Sequence, residues 1–245
     1  ARRVGQGLKV GAVTEQLAVR AVLFDLDGTL ADTAPDLAGT LNRLQAEHGM
    51  ALTPFATLRP QVSHGVRGML GVGFGLTPDA PTYPALAQRF LGLYADALCI
   101  HTCLFPGMSE LLDSLAQRGI AWGVVTNKAE RFAIKLLADL GILDEFSLVI
   151  GGDTLTEKKP SALPLQHVCE VLNIEPKQLA MVGDSHNDIL AAKAAGAYAI
   201  GVDYGYEDMD DLAQDPNTRA DAVIHSLTEL YAAAQDAQMA QARES

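Results

Sequence analysis

The sequence predicts an α/β fold in which helices cover both faces of a parallel sheet. Short apolar runs that stop at Asp, Gly or Thr recur along the chain, as expected of buried parallel strands. Patterns with helical spacing, several of them ending at a glycine, separate most of these runs. Residues 36–104 interrupt the alternation with helical patterns alone, which predicts an inserted helical subdomain.

The first predicted strand is Ala21–Phe24, four apolar residues followed by a turn rich in Asp and Gly. Five more runs have the character of strands: Ile120–Val125, Ser147–Ile150, Leu179–Val182, Ala197–Val202 and Ala222–Ile224. The helices predicted between them contain Leu111–Leu115, ending at Gly119; Phe132–Leu140, ending at Gly141; Ala162–Leu172; and Ile189–Ala195, ending at Gly196. This alternation is typical of βαβ units.

The insert is predicted to contain helices and loops but no strand between Pro35 and Phe105. One helix is marked by Leu37, Leu41 and Leu44 and ends near Gly49, and a second is marked by Leu86, Phe90 and Leu93. The run Gly71–Gly75 resembles a nucleotide-binding loop, but it follows no strand, so we expect a flexible loop there. The predicted domains are an extension at 1–19, expected to be disordered, a core at 20–35 and 105–235, and the helical insert at 36–104.

Composition restricts the classes of partner. The chain has 245 residues, 18 basic and 30 acidic, with a formal charge of −12. Such a charge disfavours binding to nucleic acid or to an anionic membrane, and an anionic substrate would require local positive charge in the site. There is no long apolar span or secretory signal, and three scattered cysteines do not form a disulfide framework. We therefore expect a cytoplasmic protein, either a monomer or a homodimer.

The run Asp25-Leu26-Asp27-Gly28-Thr29-Leu30 follows the first strand directly. Carboxylates at i and i+2 leave a strand end on the same side, and they raise each other's pKa unless a cation lies between them. Paired carboxylates with a hard cation suggest oxygen-ligated Mg²⁺. The alternative is an ordinary Asp-Gly turn with two solvated acids.

A second acidic motif, Gly183-Asp184-Ser185-His186-Asn187-Asp188, follows another predicted strand and opens a helix. Asp184 is expected at the carboxyl end of the strand and Asp188 one helical turn later. The alternative is a helix cap, in which these side chains bond to free backbone amides.

Two further motifs could bind an anion. Thr126 and Asn127 follow a third strand, and Lys159 lies after a Gly-containing loop in Lys158-Lys159-Pro160. The hydroxyl, the loop amides and the lysine could hold phosphate oxygens. The alternatives are simple turn chemistry for Thr126-Asn127 and a solvated charge pair for the lysines.

In chain order, these motifs form the series DxDGT…(S/T)…K…GDxxxD. Because of this series, the sequence resembles the haloacid-dehalogenase superfamily of aspartate-nucleophile phosphatases over about residues 20–232. Within that superfamily, residues 146–153, 158–160, 181–195 and 204–206 resemble bacterial phosphoglycolate phosphatases. Residues 105–128 also resemble the branch that acts on N-acetylmuramic acid 6-phosphate.

The resemblance implies a Rossmann-like sheet of order 3-2-1-4-5 whose central strand is Ala21–Phe24, with the insert as a helical cap. It implies Asp25 as nucleophile and Asp27 as general acid and base. It also implies that Mg²⁺ is bound by the Asp25 carboxylate, the Asp27 backbone carbonyl and Asp184, and that Asp188 supports the metal. The phosphate is implied to bind to Thr126, Asn127 and Lys159. Lys159 is the only cation assigned near the acids.

Substrate choice is expected to lie in the insert, where His64 and Arg67 occur in Ser63-His64-Gly65-Val66-Arg67-Gly68. Arg67 could grip a carboxylate with two hydrogen bonds, or it could be a solvated residue at a helix start. The leading predicted substrate is the small phosphorylated metabolite 2-phosphoglycolate, and the alternative is N-acetylmuramic acid 6-phosphate. A phosphomutase is less favoured, a dehalogenase would not need Asp27, and a non-catalytic protein would be expected to lose a site residue.

Overall fold

The computed structural model describes residues 19–208 and 219–230. Its main sheet contains six parallel strands. The strands in chain order are β1 (Ala21–Phe24), β2 (Ala31–Asp32), β3 (Cys103–Leu104), β4 (Ala121–Val125), β5 (Leu148–Ile150), β6 (Leu179–Gly183), β7 (Tyr198–Val202) and β8 (Ala222–Ile224). All six predicted strands are present, with bounds shifted by at most one residue.

The main sheet has the order β5-β4-β1-β6-β7-β8, so β1 is central. Counted within this sheet, that is the predicted order 3-2-1-4-5 extended by a sixth strand. Phe24 pairs with Val124 of β4 on one side and with Val182 of β6 on the other. The strand order reverses on either side of β1, and ligands of such sheets bind beyond the carboxyl ends of the strands at that reversal.

Both faces of the sheet are covered, which explains why β1 is apolar at every position. Val22 and Phe24 belong to one buried cluster, whereas Ala21 and Leu23 belong to a second one on the opposite face. Successive strand residues point to opposite faces, so a strand buried on both sides needs an uninterrupted apolar run.

Eight α-helices lie wholly within the described residues, and a further helical segment occupies 227–230 at their end. The eight are α1 (Ala34–Glu47), α2 (Phe55–Leu58), α3 (Gly65–Phe74), α4 (Tyr83–Asp96), α5 (Met108–Gln117), α6 (Glu130–Asp139), α7 (Leu163–Leu172) and α8 (His186–Ala195). Short 3₁₀ segments occupy Arg59–His64, Leu143–Glu145 and Pro176–Gln178. The four helices predicted in the core are α5 to α8, and the two predicted in the insert are α1 and α4.

The prediction of a flexible loop at Gly71–Gly75 is wrong, because α3 runs through Phe74. Met69 and Leu70 of this helix are fully buried. At Gly73, an added Cβ would lie 2.7 Å from the Leu41 side chain, so the glycine permits close packing of α3 on α1. Tertiary packing therefore outweighs the low helix propensity of the glycines.

Two features join the insert to the sheet. The two-residue strands β2 and β3 pair antiparallel at the start and end of the insert. The prediction of no strand between Pro35 and Phe105 is therefore wrong at β3, because so short a pairing leaves no periodic signal in the sequence. The buried carboxylate of Asp36 accepts hydrogen bonds of 2.9–3.0 Å from the backbone amides of Ile100, His101 and Thr102. The start of α1 is thereby fixed to the segment that returns to the core.

The predicted extension at 1–19 lies outside the described residues except for Val19. The end of the predicted core, at 231–235, also lies outside them. Among the helices that are described, none is both long enough and apolar enough to cross a bilayer.

Candidate active site

The carboxyl ends of three adjacent strands bring the predicted site residues together. Asp25 follows β1, Thr126 follows β4 and Asp184 follows β6, and these strands are direct neighbours. They open into a pocket of about 1020 Å³ that lies between the strand ends and the insert. Of the predicted residues, the pocket is lined by Asp25, Asp27, Thr126, Asn127, Lys159, His64 and Arg67.

Three carboxylates form the centre of the site. One oxygen from each of Asp25, Asp184 and Asp188 lies within 4.8 Å of the others. Asp184 and Asp188 are fully buried and Asp25 is 8% exposed. The separation by i+4 in the second motif places Asp188 on the first turn of α8, beside the strand end that carries Asp184. The two acidic motifs are therefore one cluster rather than two independent solvated turns.

Two glycines make room for this cluster. Gly28 has a φ of 89°, and a Cβ there would lie 2.2 Å from Asp184 Oδ2. A Cβ at Gly183 would lie 2.2 Å from the Asp188 carboxyl carbon. Any larger side chain at either position would displace an acid, so the space around the carboxylates depends on these residues.

Lys159 lies between two of the acids. Its Nζ donates to Asp25 Oδ1 at 2.8 Å, to Asp188 Oδ1 at 2.6 Å and to the backbone carbonyl of Val125 at 2.5 Å. Burial by itself lowers the pKa of Lys159, but the charges of Asp188 and Asp25 outweigh it and raise the pKa above its usual range. The lysine is therefore a buried ammonium, which excludes the alternative of a solvated charge pair for this residue.

One ammonium does not compensate three carboxylates. Burial and the charges of Asp188 and Asp27 raise the pKa of Asp25 to about 6, against the lowering effect of Lys159. Burial and the charges of Asp25 and Asp188 raise the pKa of Asp184 well above its usual value. The cluster therefore has oxygen donors and excess negative charge for a cation, and the all-carboxylate donor set fits a hard divalent ion such as Mg²⁺.

Asp188 uses both of its carboxylate oxygens within the protein. Oδ1 binds Lys159, and Oδ2 accepts from the backbone amide of Ser185 at 3.0 Å and from the Ser185 hydroxyl at 2.7 Å. Ser185 and Asp188 thus form a capping box at the start of α8, so the alternative interpretation of this motif as a helix cap is also correct. The same side chain caps the helix and holds the lysine beside Asp25.

Asp27 points to a different set of partners. Its Oδ1 accepts from the Thr33 hydroxyl at 2.5 Å and from Lys128 Nζ at 2.8 Å, and its Oδ2 lies 3.1 Å from the same ammonium. The expectation that Lys159 is the only cation near the acids is therefore wrong. Lys128 directly follows Thr126-Asn127, three residues beyond the end of β4. A lysine so close to site residues at a strand end is the signal that could have identified it.

Thr126 and Asn127 lie in the loop that follows β4 and line the pocket. The Thr126 hydroxyl oxygen accepts from the backbone amide of Lys128 at 3.2 Å, which leaves its proton available to a ligand. Asn127 Nδ2 donates to the backbone carbonyl of Lys159 at 2.8 Å. Asn127 therefore fixes the loop that carries the lysine.

Comparison with known proteins agrees with this geometry. A family model for haloacid dehalogenase-like hydrolases matches residues 22–202. The chain belongs to the haloacid dehalogenase-like hydrolases. A phosphoglycolate phosphatase of Chromobacterium violaceum is 42% identical over 217 residues, covering 87% of this chain and 95% of the relative. An N-acetylmuramic acid 6-phosphate phosphatase of Pseudomonas putida is 38% identical over 213 residues, covering 86% of this chain and 94% of the relative.

A crystal structure described as a predicted phosphoglycolate phosphatase from Haemophilus somnus has the same fold as this haloacid dehalogenase-like hydrolase. Its TM-score is 0.76 at 28% sequence identity, over 88% of this chain and 97% of that one. Because the match covers 88% of this chain, it includes residues of both the sheet and the insert.

The pocket of this hydrolase is more basic than the protein as a whole. Its lining contains five basic residues, Arg67, Lys128, Arg131, Lys158 and Lys159, against four acidic ones, Asp25, Asp27, Glu207 and Asp208, although the chain carries a formal charge of −12. His64 and Arg67 reach it from the start of α3 in the insert. This concentration of positive charge is the property expected of a site for an anionic substrate.

Proposed function

We propose that this haloacid dehalogenase-like hydrolase is a Mg²⁺-dependent phosphatase that converts 2-phosphoglycolate to glycolate and phosphate. The observation that carries the proposal is the cluster at the strand ends, where Asp25 is held by Lys159 beside two further buried acids. The relative from Chromobacterium violaceum, named phosphoglycolate phosphatase and 42% identical over nearly its whole length, supports the choice of substrate.

Asp25 is the proposed nucleophile. Its carboxylate attacks phosphorus, the bond from phosphorus to the ester oxygen breaks, and an aspartyl-phosphate forms, which water then hydrolyses. Lys159 supports this role because its ammonium holds Asp25 Oδ1 at 2.8 Å and fixes the orientation of the carboxylate. None of the described hydrogen bonds involves Asp25 Oδ2, and the residue lines the pocket.

Asp27 is the proposed general acid and base. It would protonate the leaving ester oxygen and then take a proton from the attacking water. Thr33 and Lys128 bind its carboxylate and restrict its orientation, and the side chain is 15% exposed, so a substrate can reach it. The leaving group is therefore expected beside Asp27.

The proposed Mg²⁺ ligands are the Asp25 carboxylate, the Asp27 backbone carbonyl and Asp184, with Asp188 in support. When bound, the ion would screen the repulsion between the Asp25 carboxylate and the phosphate. Thr126, Asn127 and Lys159 are proposed to bind phosphate oxygens, Thr126 through its free proton and Asn127 through the loop that it holds.

The insert at 36–104 is proposed to act as a cap over the core formed by 20–35 and 105–235. His64 and Arg67 support this role, because they line the pocket from the insert while the nucleophile lines it from the sheet. They are the residues of the insert that we propose to contact the substrate. A cytoplasmic location and a monomeric or homodimeric state remain predictions from the sequence.

A second candidate substrate is N-acetylmuramic acid 6-phosphate. The pocket of about 1020 Å³ would accommodate an amino sugar, and a relative named for this activity is 38% identical. A phosphomutase would return the phosphoryl group to a second hydroxyl rather than release it, so the appearance of inorganic phosphate separates the two classes.

The proposal is tested by measuring phosphate release with Mg²⁺ present from 2-phosphoglycolate, N-acetylmuramic acid 6-phosphate and a panel of other phosphomonoesters. We expect 2-phosphoglycolate to give the highest kcat/KM. A higher kcat/KM for the amino-sugar phosphate would replace the proposed substrate, and no phosphate release from any phosphomonoester would overturn the phosphatase assignment itself.

A further inference from the structure

Two buried polar side chains meet beside Asp27, one from the insert and one from the core. Tyr94 lies on α4 and is 2% exposed, and Lys128 follows β4 with a side chain that is 7% exposed. The ammonium of Lys128 lies 4.8 Å from the centroid of the Tyr94 ring. Both residues line the pocket, and none of the roles proposed so far uses Tyr94.

The Tyr94 hydroxyl is buried beside the Lys128 ammonium, which can only donate to it, and its own proton has no acceptor among residues 19–208 and 219–230. A buried hydroxyl is normally paired, because leaving one unpaired is costly. Burial raises the pKa of Tyr94 to about 12, and the charge of Lys128 opposes this only in part, so the hydroxyl keeps its proton. The pocket therefore contains a hydrogen-bond donor that the protein itself leaves unused.

Lys128 is placed close to where the leaving group would lie. Its Nζ is 2.8 Å and 3.1 Å from the two carboxylate oxygens of Asp27. If Asp27 contacts the ester oxygen, a group separated from that oxygen by one carbon comes within hydrogen-bonding reach of the ammonium. In the described structure Lys128 is hydrogen-bonded to Asp27 and Arg67 is not, so the lysine is the cation beside the expected leaving group.

We propose that Lys128 and Tyr94 form a subsite for a carboxylate carried on the carbon next to the ester oxygen. A movement of the flexible Lys128 side chain would admit one carboxylate oxygen between the ammonium and the Tyr94 hydroxyl, where it would accept from both. This inference rests on the proposed function and deepens it, since it names the part of the substrate that distinguishes 2-phosphoglycolate from other small phosphomonoesters.

The walls of the subsite favour such a charged contact. The Tyr94 ring lies 5.6 Å from the Phe132 ring and 6.5 Å from the Phe90 ring, measured between centroids. Phe90 is fully buried and Phe132 is 6% exposed, so the surroundings are apolar. A charge-assisted hydrogen bond is stronger in such surroundings than in water.

The closeness of the Lys128–Tyr94 subsite to Asp27 also limits how far the substrate carboxylate can lie from the ester oxygen. A carboxylate separated from the ester oxygen by a sugar ring would lie too far from Asp27 to reach Lys128. The subsite therefore favours a short acid such as 2-phosphoglycolate over N-acetylmuramic acid 6-phosphate, whose carboxylate is remote from its phosphate.

The test compares wild type with Tyr94→Phe on two substrates, 2-phosphoglycolate and ethyl phosphate, which share the phosphorus–oxygen–CH₂ linkage and differ in the carboxylate. The quantity measured is the ratio of their kcat/KM values. Removing a hydrogen bond to a charged group should lower this ratio about 10- to 100-fold. The fold should be preserved, because the substitution keeps the aromatic ring and removes only a hydroxyl whose proton has no acceptor among the described residues.

Tyr204→Phe is the matched control. Tyr204 is a partly buried tyrosine outside the pocket lining, and its hydroxyl donates to the backbone carbonyl of Thr29 at 3.0 Å. We expect this variant to leave the ratio unchanged, whatever it does to the two separate rates. Lys128→Met should also lower the ratio, although it is expected to slow both substrates because Lys128 contacts Asp27.

The outcomes separate the inference from the function on which it rests. If wild type prefers 2-phosphoglycolate and both Tyr94→Phe and Lys128→Met keep that preference, the subsite is wrong and the proposed substrate stands. If wild type hydrolyses both esters equally well, the subsite is overturned and only the phosphatase assignment survives. If wild type hydrolyses no phosphomonoester, the proposed function fails and the subsite fails with it.

Discussion

Replacing Asp25 with Asn should have two opposite effects, on activity and on stability. The amide has nearly the shape of the carboxylate but is a poor nucleophile, so phosphatase activity should fall at least about a thousandfold. Without metal, the same change should stabilise the protein near neutral pH, because it removes one of the mutually repelling buried charges.

The size of the second effect follows from the pKa of Asp25, which burial raises from 3.8 to about 6. A shift of about two units corresponds to about 3 kcal/mol. Because the folded-state pKa is raised, the contribution of Asp25 to stability is present below the unfolded-state pKa and is lost as pH rises to about 6. Asn does not titrate, so the variant should gain up to about 3 kcal/mol at pH about 7.5 and about half of that at pH about 5.

This gain is an upper limit, because the amide of Asn would face Lys159, which keeps only Asp188 as an anionic partner. The assay is urea unfolding of both proteins in EDTA at the two pH values, with phosphate release measured in parallel with Mg²⁺ present. A variant that is less stable than wild type at both pH values would refute the electrostatic reasoning. Retention of more than about a thousandth of the wild-type rate would refute Asp25 as nucleophile.

Three further predictions concern the metal, the space around it and the insert. EDTA should abolish phosphate release and Mg²⁺ should restore it, because Lys159 is a single ammonium beside the three buried carboxylates of the cluster. Full activity in the chelated enzyme would contradict the metal assignment. Gly28→Ala should cost about 1–3 kcal/mol in urea unfolding and lower activity, since its Cβ would lie 2.2 Å from Asp184 Oδ2. The control Gly39→Ala, within α1 with no atom inside 4 Å, should be neutral or stabilising. Arg67→Ala should raise the KM for 2-phosphoglycolate about 10-fold more than that for ethyl phosphate, because the carboxylate oxygen not held by Lys128 and Tyr94 is left to accept from Arg67; parallel changes in KM would show that Arg67 does not contact the carboxylate.

Much of the fold could be predicted because each core strand carries its own signal. A strand buried on both faces must be apolar at every position, and this rule located Ala21–Phe24 and the five later runs. The helix Gly65–Phe74 carried no such signal, because the glycines that permit its close packing on Leu41 also lower its helix propensity. The short strands Ala31–Asp32 and Cys103–Leu104 form through contact with each other, about 70 residues apart in the chain.

The sequence by itself determined which residues are available for chemistry, since Asp25, Asp27, Asp184 and Lys159 occur in recognisable motifs directly after strands or in a loop between them. Only the tertiary structure decided their partners. It paired Lys159 with Asp25 and Asp188, paired Lys128 with Asp27, and left the Tyr94 hydroxyl proton without an acceptor among the described residues. The physical reason is that hydrogen bonds and charge interactions depend on distance and burial. Residues more than 100 positions apart acquire both only when parallel strands bring their loops to one edge of the sheet.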